Sequence, residues 1–430
     1  MTRKRIAVVS VAVCAIASLA RAQTGGRALA VADLVDMAMQ RNREFLAATQ
    51  RVAETQGLLR QAGVRPAPAL ELEGASGRPF GSPDERVLSA GYFHPIETFG
   101  KRDKRLAVAN KSIDAAEAEL ADHARLLTLD VKVKYAQALR EQQKLQMVQR
   151  LASTNREYYN LIDTRVQHGD AAPLEGQLFL TELSRVEVQQ VVLTSSTDRA
   201  FLELRRVVGL PVTEPLSLAT TTPPATPRIS LSELQIRALQ DRPDLRVLQR
   251  LEEQALAEEA LARAEGKPDL TASVRYARTD SGFDQLGYTH TGQLVPIQAR
   301  DHILSVGLSV PLFLSNRNQG AIEAAQARSA AARLRREHLE SAVRLDVEAA
   351  YRRWQSATNA VDILSRGVIA QSEKNLSVLR QAYTVGQLRI LDVLNEQRRL
   401  IETELTYLDA QSELFEAFAE LEASVGGSLQ

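Results

Sequence analysis

The stretch "AYTVGQLRILDVLNEQRRL" (382–400) decides how the chain is read. It lies within a long run of helix-forming residues, yet it carries Gly386, and glycine costs roughly 1 kcal/mol against alanine in a helix interior. Asp392 follows six residues later. In the first half, "TRVQHGDAAPLEGQLFL" (164–180) places Gly169 and Glu175 at the same spacing, 217 residues upstream. A glycine supplies the left-handed residue with which helices often end, so each stretch is expected to be a turn between two long helices. His168 stands where Val385 stands in the second stretch, and Asp170 and Pro173 follow it.

The repetition extends beyond these turns. "LVDMAMQRNREFL" (34–46) parallels "LQIRALQDRPDLR" (234–246) at an offset of 200, and "GYFHPIETFGKR" (91–102) parallels "GLSVPLFLSNRN" (307–318) at 216. Gly209 matches Gly426 at 217. The drift places an insertion between residues 279 and 303, and two homologous halves follow: residues 23–210 and 231–430, joined by a Pro/Thr-rich linker over 211–230.

Each half is expected to hold a helix of about 30 residues, two strands and a long helical region. The helices are expected over 100–166 and 173–208, then 318–384 and 388–424. Leu339, Val343, Val347, Ala350, Trp354, Ala357, Val361, Leu364 and Val368 advance in steps of three and four, one apolar stripe along a polar rod. At 1.5 Å per residue such a rod spans roughly 100 Å, longer than any ordinary globular core, so these are coiled-coil arms.

The strands are expected at about 68–77, 87–96, 269–278 and 303–312. Leu304, Val306, Leu308 and Val310 alternate with Ser305, Gly307 and Ser309, and Leu70 and Leu72 with Glu71 and Glu73. Such alternation marks a half-buried sheet or a transmembrane barrel strand, apolar toward lipid and polar toward the lumen. No other core is available to cover four such strands, which favours the barrel. Four strands cannot close one: two chains would supply eight strands and three chains twelve. The stretches 77–86 and 279–301 are expected as loops outside the cell.

The first 22 residues form a signal peptide by pattern: "MTRKR", an apolar run of about 15 residues, and small Ala20 and Ala22 before Gln23. Removing Arg3, Lys4, Arg5 and Arg21 leaves 49 basic against 53 acidic residues, a net charge near −4 that argues against a nucleic-acid partner. Cys14 is the only cysteine and is preceded by Val13, so lipidation is not expected. The six histidines are scattered, with no catalytic, cofactor or metal motif among them, and no enzyme or cofactor is expected.

In this plan the chain resembles the TolC-type outer-membrane efflux channels. The resemblance covers nearly all of the chain beyond residue 22 and rests on the duplicated halves, two strands per half, long helices and "AYTVGQLRILDVL" (382–394) between two helical runs. It implies a mainly α fold with a small β part: a long helical barrel and a homotrimeric 12-stranded barrel in outer-membrane lipid. It also implies a periplasmic adaptor and an inner-membrane resistance-nodulation-division pump as partners. "FGKRDKR" (99–105) resembles the branch paired with heavy-metal pumps, which suggests heavy-metal cations as cargo. By resemblance Asp392 rings a closed periplasmic aperture, with Asn395 in place of a second acid. Tyr383 and Glu175 latch that state, and Gly169, Gly386 and Val385 form the tips that meet the adaptor. The residues alone leave a second reading open, a non-conducting periplasmic coiled-coil adaptor or scaffold.

Overall fold

The computed structural model describes residues 28–82, 84–220, 230–312, 316–385 and 387–429; the signal segment, residues 221–229 of the linker and Gly386 lie outside the described residues. The first half runs α1 (Val31–Arg41), α2 (Arg43–Ala62), β1 (Ala69–Ser76), β2 (Arg86–Ile96), α3 (Lys101–Gln167) and α4 (Pro173–Val208). The second runs α5 (Leu231–Asp241), α6 (Pro243–Glu265), β3 (Leu270–Tyr288), β4 (Leu294–Ser309), α7 (Gln319–Ile363), a π-helical turn (Leu364–Val368), α8 (Ile369–Thr384) and α9 (Ile390–Val425). The fold is thus mostly helical with one small antiparallel sheet, ordered β1-β2-β3-β4.

The expected 30-residue helix of each half is two helices. Asn42 is extended and its side chain accepts the Phe45 N–H, so it ends α1 and caps α2. Arg242 is extended at the equivalent place, because Pro243 disfavours the α region in the residue before it.

The halves bury matching positions. Leu34 and Leu234, Ala38 and Ala238, Val131 and Val347, Leu204 and Leu421, and Val208 and Val425 are all fully buried, at offsets that rise from 200 through 216 to 217. They sit in two separate clusters, one per half, where the N-terminal helix packs across its own long arms. Gly209 and Gly426 close these clusters with φ +81° and +93°. A Cβ on Gly209 would lie 2.7 Å from the Arg41 carbonyl, and one on Gly426 would lie 2.8 Å from the Arg242 backbone.

The arms are long: α3 alone has 67 residues, roughly 100 Å at 1.5 Å per residue. The apolar stripe of α7 is buried from Val343 to Val361 and then stops. Leu364 is half-buried and Val368 exposed, because the π turn there widens the helix by i→i+5 bonding, with the Ile369 N–H on the Leu364 carbonyl. The second arm is therefore interrupted where the sequence pattern runs straight through.

The sheet sorts by parity. Leu70, Tyr92, Val274 and Val306 lie side by side across its four strands, as do Leu72, Ala90, Tyr276 and Leu304. The alternate rungs carry Glu71, Gly91, Arg275 and Ser305, with Arg275 paired to Glu71 and Glu73 at 3.2 and 3.4 Å. The stretch expected as a loop over 279–301 is mostly strand: β3 and β4 run on as a hairpin past an irregularity at Gly282–Leu286, and only 289–293 turns. Gly292, at φ +78°, makes that turn, which the Thr289 N–H closes on the Gln293 carbonyl at 2.9 Å. At its other end β4 stops at Ser309, short of the expected 312, just before Pro311, which has no N–H to give a ladder.

The glycine contacts generate a test. Gly209→Ala is expected to destabilise by at least ~1–3 kcal/mol, since it adds both left-handed strain and a backbone clash. Gly57→Ala, within α2 and with nothing near its Cβ position, is expected to stabilise by ~0.5–1 kcal/mol. Midpoints of thermal dissociation of the purified protein should move in opposite directions.

Candidate functional site

The two turns between long helices are built alike. At the end of α3 the Asp170 N–H bonds the Arg165 carbonyl at 2.8 Å and the Gly169 N–H bonds Val166 at 3.1 Å, with Gly169 at φ +81°. This is a Schellman stop, and it satisfies carbonyls that the helix end leaves bare. Pro173 then opens α4, where its missing N–H costs nothing. At the end of α8 the Gln387 N–H bonds the Ala382 carbonyl at 3.0 Å, the same six-residue closure 217 positions on. Val385 is exposed at this second tip and Gly169 at the first.

Beneath the tips, Ile162, Phe179, Leu376, Ile390, Val393 and Leu394 form a small core, with Tyr383 and Val166 against it. This core holds the two hairpins together. The Tyr383 hydroxyl donates to Glu175 Oε2 at 2.9 Å, so the structure brings these two residues into contact across the hairpins. Burial, the Glu175 hydrogen bond and the Glu175 charge all push the Tyr383 phenol above its ordinary pKa, so it stays a donor at neutral pH.

Asp392 and Glu175 occupy the same place, the third residue of a helix, and do different work. Asp392 folds back, and its Oδ2 accepts the Arg389 N–H at 3.2 Å. Glu175, one methylene longer, reaches across to Tyr383 instead. Asp392 and Asn395 are exposed, one turn apart at the start of α9, and the hydrogen bond of Asp392 stays within its own helix start while that of Glu175 goes to Tyr383. A negative charge in this first turn also suits the helix dipole.

Sequence reasoning missed a set of polar ties just beyond the tips. Gln397 Nε2 donates to Asn155 Oδ1 at 2.8 Å, with both side chains buried, and Arg398 donates to Glu182 at 2.8 Å. Both join α9 to the first half's helices. Their partners lie more than 200 residues apart in the chain, and no local pattern announces them.

A family profile described as outer membrane efflux protein matches residues 34–210 and 235–427. The chain belongs to this family. Among its relatives, the pyoverdine export outer membrane protein OpmQ of Pseudomonas putida is 24% identical, over 92% of this chain and 86% of its own. The cobalt-zinc-cadmium resistance protein CzcC of Cupriavidus metallidurans is 22% identical, over 91% and 88%. The solved structure of CusC shares the fold, with TM-score 0.73 at 20% identity over 93% of this chain and 92% of that one. The chain is therefore an outer-membrane efflux channel of a Gram-negative cell, with a large periplasmic part, and not an enzyme. This sets aside the non-conducting adaptor.

Tyr383→Phe keeps the ring and removes the donor. It is expected to cost about 1 kcal/mol, near the low end for a bond to a charged group because the pair is half exposed, and to speed tip amide exchange about fivefold. The raised phenol pKa gives a sign. Whatever tip protection the neutral phenol contributes is fully present below pH ~10 and is lost as pH climbs through the raised value. Hydrogen exchange across that range should show an alkaline step in the wild type that Tyr383→Phe lacks.

Proposed function

We propose that the chain works as a homotrimeric passive duct, closed at rest by its helical tips and opened by docking to a periplasmic adaptor and an inner-membrane pump of the resistance-nodulation-division type. The observation that carries this reading is the sheet. It has two unpaired edge strands, β1 and β4, and an uncovered apolar row in which Leu70, Leu72, Leu304 and Val306 are all more than two-thirds exposed. A single chain cannot satisfy those edges in lipid. Three copies joined β4 to β1 give a twelve-stranded closed barrel, which leaves no edge and turns the apolar row to the acyl chains.

The tips supply the gate. In this reading three copies of Asp392 face one another on the trimer axis, and Asn395 leaves the ring one acid thinner than its family pattern. Carboxylates about 8 Å apart repel by roughly 0.5–2 kcal/mol per pair between effective dielectrics of 80 and 20, so the ring favours cations. The Tyr383–Glu175 bond latches it, and the tips, exposed at Gly169 and Val385, meet the adaptor together with Gly386.

Heavy-metal cations are the cargo this ring suits best, and CzcC is named for resistance to such metals. OpmQ is named for pyoverdine export at nearly the same identity, so kinship does not choose between the two. The "FGKRDKR" motif does not choose either. Lys101 pairs with Asp269 at 2.8 Å, Arg102 donates to the Gly63 carbonyl at 2.8 Å and Arg105 pairs with Glu97, so three of its four basic residues hold a joint.

Two measurements test the duct. Val306→Arg is expected to impair assembly of the outer-membrane oligomer, by up to ~2–4 kcal/mol at mid-bilayer, whereas Ser305→Arg on the opposite face is tolerated. Equal assembly of the two would overturn the barrel. In planar bilayers, Asp392→Ala is expected to lower cation selectivity and relieve block by a trivalent cation added from the periplasmic side. A variant that selects and blocks like wild type would remove Asp392 from the constriction.

A further inference from the structure

The apolar face of the sheet changes character at one level. Moving away from the helices, the rung Leu72, Ala90, Tyr276 and Leu304 is followed by Gly74, Leu88, Arg278 and His302, and then by Arg86, Asp280 and Arg300. All share the parity of Val306. That they share a face is shown directly: the Tyr276 hydroxyl lies 2.6 Å from His302 Nδ1 with the rings stacked, and Arg278 and Arg300 converge on Asp280 at 3.2 and 2.7 Å. Three guanidiniums and an imidazole therefore crown an apolar surface.

The height of this crown locates it. Every strand joins its helix at the opposite end, where Lys101 and Asp269 pair at 2.8 Å. From Asp269 to Arg278 the chain advances nine residues, about 30 Å of strand, or about 23 Å of height at a barrel tilt near 40°. An outer-membrane barrel shows lipid an apolar band about 25 Å tall, bounded by aromatic girdles. Tyr276, with its ring beside Leu304 and its hydroxyl toward His302, is placed as a girdle residue. The crown then stands at the headgroup level of the leaflet farthest from the periplasm.

The charges there are incompletely matched. On this face Asp280 and Asp84, the latter packed beside Gly282, oppose Arg86, Arg278 and Arg300. Asp280 is already shared by two arginines, and the side chain of Arg86, exposed and opposite it in register, makes no ion pair or hydrogen bond among the described residues. In the tautomer whose Nδ1 accepts from the Tyr276 hydroxyl, His302 presents Nε2–H as a donor. Arginine forks fit phosphate oxygens two at a time. A carboxylate fixing two of the forks holds them ready, which lowers the ordering cost of binding.

We infer that Arg86, Arg278, Arg300 and His302 form a binding surface for the phosphate of an outer-leaflet glycolipid, whose acyl chains lie along Leu88, Tyr276 and Leu304. The inference rests on the barrel reading above. The leaflet facing outward in a Gram-negative outer membrane is built from a phosphorylated glycolipid, so charge and apolar surface are complemented by one molecule.

The test uses the full-length oligomer purified from outer membranes, with retention of added lipid measured by native mass spectrometry. Bisphosphorylated lipid A is expected to bind about tenfold more tightly than its dephosphorylated form, the size of one charge-assisted bond. Arg86→Gln with Arg300→Gln should abolish that preference, while Arg275→Gln on the other face should keep it. If the double variant fails to assemble, Arg86→Gln alone, which breaks no contact seen here, should lose about threefold. Equal retention of both lipid forms, or a preference that survives the substitutions, would overturn the site. So would equally tight retention of phosphatidylglycerol, which marks a general anionic surface. An outer-membrane oligomer without the preference rejects this site alone, whereas a chain that forms no such oligomer rejects the barrel and the site together.

Discussion

Lipid has no water to satisfy an unpaired peptide group, and a four-stranded sheet has two edges full of them. That constraint governs everything else in this molecule. The chain ends each of its halves in long polar rods rather than in a globule, so nothing among the described residues covers the outer edge of β1 or β4. The edges have to be met by copies of the same chain. Once they are, each strand delivers its helix to the rim of a closed ring, and the rods are gathered into a cylinder without needing a core of their own. The small clusters around Leu34 and Leu234 are enough, because they only set the angle at which a short helix straps its arms.

The duplication explains both the regularity and its exceptions. Gly209 and Gly426 recur because each lets a helix end pass against the backbone at Arg41 or Arg242, where no side chain fits. The turns recur because each needs the same six-residue closure. The halves diverge where identical geometry carries different chemistry. Glu175 and Asp392 start equivalent helices, and a single methylene separates a side chain that bridges to the other hairpin from one that caps its own helix. The π turn at Leu364–Val368 has no counterpart in α3, which runs continuously to Gln167.

Much of this was legible in the sequence, wherever a pattern was local. Alternation along 303–309 gave the strand face, the stripe from Val343 to Val361 gave the buried face of α7, and the paired glycines gave the turns. The Tyr383–Glu175 contact came from family resemblance and not from spacing. What escaped was of three kinds. The long hairpin over 279–301 is rich in Gly, Thr, Asp and Gln, so it reads as loop although its backbone pairs as strand. The π turn escaped because Leu364 and Val368 keep the apolar period while the backbone departs from it. The ties Asn155–Gln397 and Glu182–Arg398 escaped because a contact between halves leaves no trace in either half.

The distribution of ties along the rods says where the molecule can yield. At the sheet end every helix entry is pinned. Lys101 reaches Asp269, Arg105 reaches Glu97, Arg102 and Asn318 donate to the ends of the preceding helices, and Thr98 bonds both Pro268 and Asp269. These bonds are short-range and several are shielded from water, so screening weakens them little. At the far end the hairpins share one small apolar core, the Tyr383 hydroxyl on Glu175, the pairs Asn155–Gln397 and Glu182–Arg398, a long Arg185–Glu402 contact at 3.9 Å and Arg380 over the Tyr158 ring. The π turn lies between these two regimes, on the second arm only, with no buried side chain to hold it. A displacement of the tips therefore meets little resistance below that turn and a great deal above it. In the proposed duct, opening would move the α8–α9 hairpin against the first half and leave the sheet where it is.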